Sequence, residues 1–261
     1  MVPMSTSLTL PLQYITSFMN SFSYDLHIHS CLSPCADDDM TPGNILGMAA
    51  LKELDIVALT DHNSCKNCPA FIKMAREFNI TAIPGMELCT SEEVHVICLF
   101  RTLEDAMAFD QYVDAHIIHI PNNESIFGKQ EIYDENDEIT GKEPDLLINA
   151  TDISFTEVHD LMNRFNGIMI PAHIDKNSNS LISNLGFIPP DSHFKCAELK
   201  NMSVLKRLLH SNPYLETCKT ITNSDAHMLG DINEPVNFLH SESREIGDIL
   251  DALNTSPVRN V

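Results

Sequence analysis

Short apolar segments alternate with segments of helical periodicity along most of the chain, and this alternation limits the possible folds more than any other feature. The strand-like segments are rich in Val, Ile and Leu, as in "DIVALTDH", "ITAIPGMEL" and "IMIPAH". The segments between them, such as "GNILGMAALKEL" and "PAFIKMAREF", have the apolar spacing of helices. Repeated strand–helix units favour a parallel sheet, open or closed into a barrel, and 261 residues suffice for one barrel.

One region interrupts this alternation. Residues 116–150 contain "KQEIYDENDEITGKE", two short strand-like segments around Asn136 and Asp137, which predict a small β-hairpin insertion. Residues 1–22 are predicted to be an N-terminal extension, because they lack the basic region of a signal peptide and Pro11 interrupts their apolar part. Residues 23–261 are then expected to form one domain.

Charge and cysteine content restrict the partners and the location. The chain has 37 acidic and 16 basic residues, a net charge of −21, and such a surface repels a phosphate backbone, which disfavours long nucleic acid as a partner. No apolar run reaches the roughly 18 residues of a membrane span, so no membrane partner is expected. The eight cysteines include one CxxC, Cys65 and Cys68, without a second to complete a zinc ribbon. Reduced thiols and a cytoplasmic location are therefore predicted, and the oligomeric state stays open.

Histidine and carboxylate side chains fall in or just after the predicted strands. They are His27 and His29 in "DLHIHS", His62 in "LTDHN", Glu87 in "GMEL", His95 in "EVHV", His173 in "IPAHID", and Asp225 and His227 in "NSDAH". Each of them alone is more often a hydrogen-bonded core or capping residue. Because the carboxyl ends of parallel strands converge on one mouth, their recurrence at six strands predicts one site. A mixed nitrogen and oxygen set without thiolates favours Zn, Mn or Fe ions.

These motifs, in this order, resemble those of the polymerase-and-histidinol-phosphatase (PHP) family of metal-dependent phosphoesterases, over about residues 24–230. The resemblance implies a distorted (β/α)7 TIM-like barrel that holds two or three divalent ions. It also implies a role for each ligand-type residue. One ion would be held by His27, His29 and Asp225, and Glu87 would bridge it to a second ion that His95 and His173 complete. A third ion would be held by His62 and His227. Asp61 would orient its neighbours, and the candidate catalytic residues are Asp61 and His227.

The family usually supplies one more ligand to the third ion from the loop after the HxH motif, here "SCLSPCADDDMTP". The family's usual spacing, counted forward from His29, places this ligand at Pro34 or Cys35. Counted back from Pro42, it places the ligand at Asp37. Asp37 is the predicted ligand. The alternatives Asp38, Asp39 and Cys35 stay open.

The function expected from this resemblance is hydrolysis of a small phosphomonoester, such as a nucleotide or an amino-alcohol phosphate, by a metal-bridging hydroxide. The alternatives are an exonuclease on short oligonucleotides, a non-catalytic metal-binding PHP domain, and an amidohydrolase-like enzyme. The acidic surface favours a small substrate, and the nearly complete ligand set disfavours a non-catalytic domain. No GxSxG or P-loop pattern offers a different chemistry.

Overall fold

Strands and helices alternate through residues 19–256, which are the residues described by the computed structural model. The strands are β1 Asn20–Ile28, β2 Ile56–Leu59, β3 Thr81–Cys89, β4 His95–Phe100, β5 Glu131–Tyr133, β6 Ile139–Lys142, β7 Gly167–Pro171, β8 Cys196–Glu198, β9 Lys219–Ile221 and β10 Phe238–Ser241. The helices are α1 Pro42–Leu51, α2 Cys68–Phe78, α3 Leu103–Asp114, α4 Glu124–Phe127, α5 Val158–Arg164, α6 Leu181–Leu185, α7 Leu205–Ser211 and α8 Ile246–Leu253. Within residues 19–256, none of these helices has the length and apolar character needed to cross a bilayer.

The largest sheet has the strand order β10-β1-β2-β3-β4-β7. Strands β1, β2 and β3 are parallel, as the sequence pattern predicts. Strand β4 runs antiparallel to both β3 and β7, which departs from the parallel sheet expected. The reason is local: only residues 90–94 connect β3 to β4, and a parallel crossover needs a dozen or more residues.

The sheet is curled, and the separate parallel pair β8–β9 lies between its β7 side and β1. Ile174, just after β7, donates its backbone N–H to the Glu198 carbonyl of β8 at 2.9 Å. Beyond β9, Ala226 forms a parallel bridge with Ile28 of β1. The mixed α/β class is confirmed, with a half-barrel sheet, whereas the count of seven β/α units stays a prediction.

Two apolar clusters pack on the opposite faces of the large sheet. The outer cluster includes residues of α1, α2 and α3, and the inner cluster includes Ile249, Leu250 and Leu253 of α8. Leu26 belongs to the inner cluster but Ile28 belongs to the outer one, although residues two apart on a regular strand share a face. The β1–β2 register shifts between Asp25 and Ile28, and such an irregularity re-aims side chains.

The region predicted as an insertion contains the antiparallel hairpin β5–β6. Its turn residue Asp137 accepts hydrogen bonds from Thr41 Oγ1 at 2.7 Å and from the Gly43 N–H at 3.0 Å, at the start of α1. Residues 1–18 of the predicted extension lie outside the described residues. Residues 20–22 belong to β1, where Asn20 pairs with Ser241 of β10.

Candidate metal centre

The fold brings the predicted ligand residues to one edge of the curled sheet. They lie within β1 or just after it, follow β2, β7 and β9, lie within β3, or begin β4. His95 is at the start of its strand, but because β4 is antiparallel, it pairs with Cys89 at the end of β3. The imidazoles of His27 and His29 are fully buried, whereas 28% of the His227 side chain is exposed.

The buried carboxylate of Glu87 is the centre of this cluster. Its Oε1 lies 3.2 Å from His27 Nε2, 3.2 Å from His173 Nε2 and 3.1 Å from His95 Nδ1, and its Oε2 lies 3.0 Å from His62 Nδ1 and 3.4 Å from His29 Nε2. Five imidazoles therefore surround one carboxylate that is 1% exposed. Such a concentration of buried polar groups is costly unless charges or ions compensate it.

Asp225 joins the cluster from the loop after β9. Its Oδ1 lies 3.5 Å from the Nε2 atoms of both His27 and His29, and its Oδ2 lies 2.5 Å from Lys176 Nζ. Asp225 has a φ of 56° and His173 a φ of 30°, a left-handed region that non-glycine residues seldom adopt. Strained backbone at two of the converging residues is typical of functional sites.

The hydrogen bonds behind His29 determine which of its nitrogens faces the cluster. Ser33 Oγ donates to Asp61 Oδ1 at 2.7 Å, so Ser33 has no second proton to give. His29 Nδ1, 3.0 Å from Ser33 Oγ, must therefore be the donor in that contact. The unprotonated Nε2 of a neutral His29 then points into the cluster.

The donor set fits bound divalent ions. His27 Nδ1 donates to Glu198 Oε2 at 2.9 Å, so the Nε2 of a neutral His27 also presents its lone pair. The two Nε2 atoms are only 3.1 Å apart, an arrangement that repels unless a cation or a proton lies between them. In addition, His62 Nδ1 and His173 Nδ1 are buried without a hydrogen-bond partner, although His62 Nδ1 lies near Glu87.

Three groups of ligand atoms lie close enough to hold an ion, with all atoms of a group within 4.8 Å of one another. The groups are His27, His29 and Asp225; His29, His62 and His227; and His62, Glu87 and His95. His173 belongs to none of them, although its Nε2 approaches the Glu87 carboxylate. The assignment of particular residues to particular ions stays a prediction.

Electrostatic interactions keep the carboxylate of Glu87, at the centre of the cluster, ionised. Burial alone would raise the pKa of Glu87, but the imidazoles of His95 and His27 outweigh burial and hold it well below its usual value. Burial alone would lower the pKa of His95, and the Glu87 carboxylate instead raises it to about 10. Burial, aided by nearby His62, lowers the pKa of His29 well below its usual value. A cation binding here therefore finds an ionised carboxylate but has to displace protons from some imidazoles.

Asp61 lies behind the ligand residues rather than among their facing atoms. Its carboxylate accepts hydrogen bonds from the backbone N–H and hydroxyl of Ser30, at 2.7 and 2.6 Å, and from Ser33. Ser33 Oγ also accepts the backbone N–H of His62 at 3.1 Å. Asp61 thus orients His29 and His62 through Ser33, and its catalytic role stays a prediction.

The loop after the HxH motif approaches the cluster through its backbone. The N–H of Asp37 donates to the His227 carbonyl at 3.0 Å, while its side chain is exposed and belongs to none of the three ligand groups. Asp38 pairs with Lys129, and the Cys35 thiol is also outside the groups. Among the described residues, no side chain of this loop completes a ligand group.

Two charged residues that the motifs did not single out contact the cluster. Glu198, on β8, contacts His27, and Lys176 lines the cluster's cavity of about 130 Å³ together with Ser178 and Asn179. The sequence carried no clear signal for Glu198, because a carboxylate between two apolar residues on a strand is also the pattern of a solvent-facing position, whereas the structure buries it completely. Its partner was not readable, because His27 is 171 residues away.

Comparison with known proteins places the chain in a family. The family model described as PHP domain matches residues 25–171, more than half of the chain. An uncharacterized protein of Methanocaldococcus jannaschii is 34% identical over 76 residues, which cover 26% of this chain and 44% of that protein. These residues fall short of half of either chain.

Two solved structures share the fold at low identity. The lesion-specific endonuclease PfuEndoQ from Pyrococcus furiosus has a TM-score of 0.63 and 19% identity, over 90% of this chain and 56% of that one. A two-domain protein of Bacteroides vulgatus, containing a predicted PHP-like metal-dependent phosphoesterase, has a TM-score of 0.53 and 15% identity, over 97% and 67%. The chain thus spans about half the length of the first relatives it matches. The chain belongs to the PHP domain family, as its ordered histidine and carboxylate motifs predict.

Proposed function

We propose that this protein is a metal-dependent phosphoesterase that hydrolyses the phosphomonoester of a small molecule. The observation that supports this most is the Glu87 carboxylate held among five imidazoles, with Asp225 beside them. Divalent ions held there would lower the pKa of a water molecule and neutralise phosphoryl oxygens, the two requirements of phosphate ester hydrolysis. Zn, Mn and Fe suit the mixed donor set.

The protein's own residues hold and orient the reactants in this proposal. Glu87 and Asp225 supply the negative charge that retains the cations, and Ser33 and Glu198 fix the ring orientations of His29 and His27. The Lys176 side chain is 38% exposed at the cavity, so its ammonium can contact a phosphate oxygen while it stays beside Asp225. His227 is the most exposed imidazole of the three ligand groups. Its Nδ1 faces the Asp225 carbonyl, so its Nε2 is the candidate that exchanges a proton with the leaving group when it does not hold an ion.

The surface charge favours a small substrate, whereas the cavity limits only how much of a substrate is enclosed. About 130 Å³ is below the roughly 300 Å³ and more of a pocket that encloses a whole drug-sized ligand. The cavity thus accommodates a phosphoryl group, with the rest of the substrate outside. The net charge of −21 weakens the approach of a long polyanion.

A second candidate is cleavage of a phosphodiester in a nucleic acid. The fold resemblance to a lesion-specific endonuclease favours it and weighs against the exclusion of long nucleic acid that the net charge suggests. The same cluster would serve either reaction, because both need activated water beside a neutralised phosphate.

The experiment that separates these candidates is a substrate panel on protein reloaded with Mn or Zn. It contains nucleoside monophosphates, amino-alcohol phosphates, sugar phosphates, end-labelled single- and double-stranded oligonucleotides, and an amide substrate for the amidohydrolase alternative. Glu87→Gln is assayed in parallel to exclude contaminating phosphatases. Turnover of a monoester by the wild type but not by Glu87→Gln supports the proposal. Turnover of oligonucleotides and of no monoester supports the second candidate. Bound metal without turnover of any phosphoester contradicts both.

A further inference from the structure

The carboxylate of Glu198 is a buried charge that contacts a predicted ligand but has no role in the predicted ligand set. Glu198 ends β8 and is 0% exposed, as are its neighbours Ala197 and Leu199. An ionised carboxylate in such surroundings is costly unless hydrogen-bond donors compensate it. The donors that it has therefore indicate what it does.

Three donors from three segments of the chain contact this carboxylate. Its Oε2 accepts from His27 Nδ1 at 2.9 Å and from Asn223 Nδ2 at 2.8 Å, and its Oε1 accepts the backbone N–H of His173 at 3.1 Å. The orientation of the Asn223 amide is itself fixed, because its Oδ1 accepts the backbone N–H of Leu26 at 2.9 Å. Asn223 thus offers Glu198 only its NH2 group.

These contacts fix the proton on His27. A carboxylate only accepts hydrogen bonds, so His27 Nδ1 must carry the hydrogen. In the neutral ring, Nε2 is then unprotonated and its lone pair is free to bind a metal ion. That atom is the one directed at His29, Glu87 and Asp225. A carboxylate behind a histidine also strengthens it as a metal ligand.

Glu198 also acts on a second residue of the cluster. His173 has a φ of 30°, and its N–H is held by the Glu198 side chain while the next residue, Ile174, bonds to the Glu198 carbonyl. One residue of β8 thereby sets the ring of His27 on β1 and the left-handed backbone of His173 after β7. These two imidazoles approach the same Glu87 oxygen.

We infer that Glu198 is a positioning residue, which fixes the His27 tautomer and the His173 backbone and thereby determines the affinity of the metal centre. This role rests on the proposed metal centre. It is separate from that of Ser33 and Asp61, which orient His29 and His62 on the other side of the cluster.

The test is Glu198→Gln, which preserves the side-chain shape but replaces one acceptor oxygen by a donor. Wherever the new NH2 group lies, it faces an N–H of His27, Asn223 or His173, so the arrangement has to change. Zinc affinity is measured by competition with a chromophoric chelator, and the His27 Nδ1–H is observed by NMR in the zinc-loaded protein. We expect affinity to fall about 10- to 100-fold and the His27 Nδ1–H signal to be lost or shifted.

Asp25→Asn is the matched control. Asp25 is also a 0% exposed carboxylate of β1, and it accepts the backbone N–H groups of Ser224 and Asn233, both at 3.0 Å, without touching an imidazole. Its replacement should lower stability and, because it holds the backbone beside Asp225 and not an imidazole, lower zinc affinity less than Glu198→Gln does and keep the His27 Nδ1–H signal. Glu198→Asp is the second variant if Glu198→Gln does not fold, and its shorter carboxylate should also weaken zinc binding.

Wild-type affinity and an unchanged His27 signal in Glu198→Gln, or in the folded Glu198→Asp, would overturn the inference while leaving the metal centre intact. Equal losses in Asp25→Asn and Glu198→Gln would also overturn it, because general destabilisation would then explain both. Absence of zinc binding by the wild type would instead remove the metal centre itself, and the role of Glu198 with it. Binding is measured without turnover, so these outcomes are distinguishable from a failed substrate panel.

Discussion

Replacing Glu87 by Gln should remove the group on which the metal centre depends while changing the volume of the side chain very little. Glu87 is 1% exposed, and its two oxygens are within 3.4 Å of five imidazole nitrogens. The amide has no charge and only one acceptor oxygen, so it cannot bridge two cations through two oxygens. Substituting a residue that contacts a metal ligand, and not the metal itself, lowers affinity by up to about 100-fold. Because Glu87 is expected to contact the ions directly, its substitution should lower their affinity by at least about 100-fold.

This loss translates into a measurable stability change. A ligand present at 100 times its Kd stabilises the folded state by about 2.7 kcal/mol, so a 100-fold weaker Kd removes about that amount under saturating metal. At about 2–4 °C per kcal/mol for a domain of this size, Tm should be about 5–11 °C lower than in the wild type. Turnover should fall by about 100-fold or more, equivalent to about 2.7 kcal/mol of barrier.

The assay compares thermal melts of both proteins with excess Mn or Zn and with EDTA, together with metal content after gel filtration. The wild type should gain stability from metal and the variant should gain much less. The informative quantity is the metal-dependent difference, because Glu87→Gln also alters the metal-free fold. If the variant retains the wild-type metal content and the same metal-dependent rise in Tm, Glu87 does not bridge the ions.

Three further predictions concern single groups of the same cluster. His29→Ala should abolish turnover with the fold intact, since His29 belongs to two ligand groups; near-normal activity with a wild-type circular dichroism spectrum would exclude His29 from the site. In the metal-free protein, the pKa of His95 is raised to about 10 by Glu87, so its contribution to stability is complete below about pH 6.5 and is lost as pH rises through about 10. In thermal melts of EDTA-treated protein from pH 6 to 10, Tm should decline with pH in the wild type and decline less in Glu87→Gln. Equal dependence of Tm on pH in the two proteins would contradict this prediction. Lys176→Gln should raise KM for the phosphomonoester by about tenfold, with a smaller change in kcat. This factor corresponds to the weaker end of charged hydrogen bonds, because the Lys176 side chain is partly exposed. A change in kcat alone would contradict a contact with phosphate.

Sequence motifs were sufficient to predict the family and the convergence of most predicted ligand residues, because strand ends can be recognised from short apolar segments. The direction of β4 was also accessible, since residues 90–94 are too few for a parallel crossover. His95 reaches the cluster because of this direction. A wholly parallel sheet would have placed the start of that strand at the opposite edge.

The supporting contacts could not be predicted from the sequence, because they join distant segments through specific ring nitrogens. Glu198 meets His27 across 171 positions, and no periodicity encodes such a pair. The loop at Asp37 shows a second reason. Spacing predicts which residue lies near the predicted third ion, but the loop conformation decides whether its side chain or its backbone faces the cluster. Here the backbone N–H of Asp37 does. The register shift in β1 likewise depends on pairing with β2.

The short β3–β4 connection has a consequence for the order in which the centre is built during synthesis. Glu87 and His95 are only eight positions apart and lie on adjacent strands, so their approach requires closure of a small loop and can occur once the hairpin has emerged. Asp225 meets His27 across 198 positions, near the far end of the chain. A nascent or truncated chain that stops before Asp225 would thus carry a partial, weaker chelating site, and full retention of the ions would begin only when the segment after β9 forms its bridge with β1.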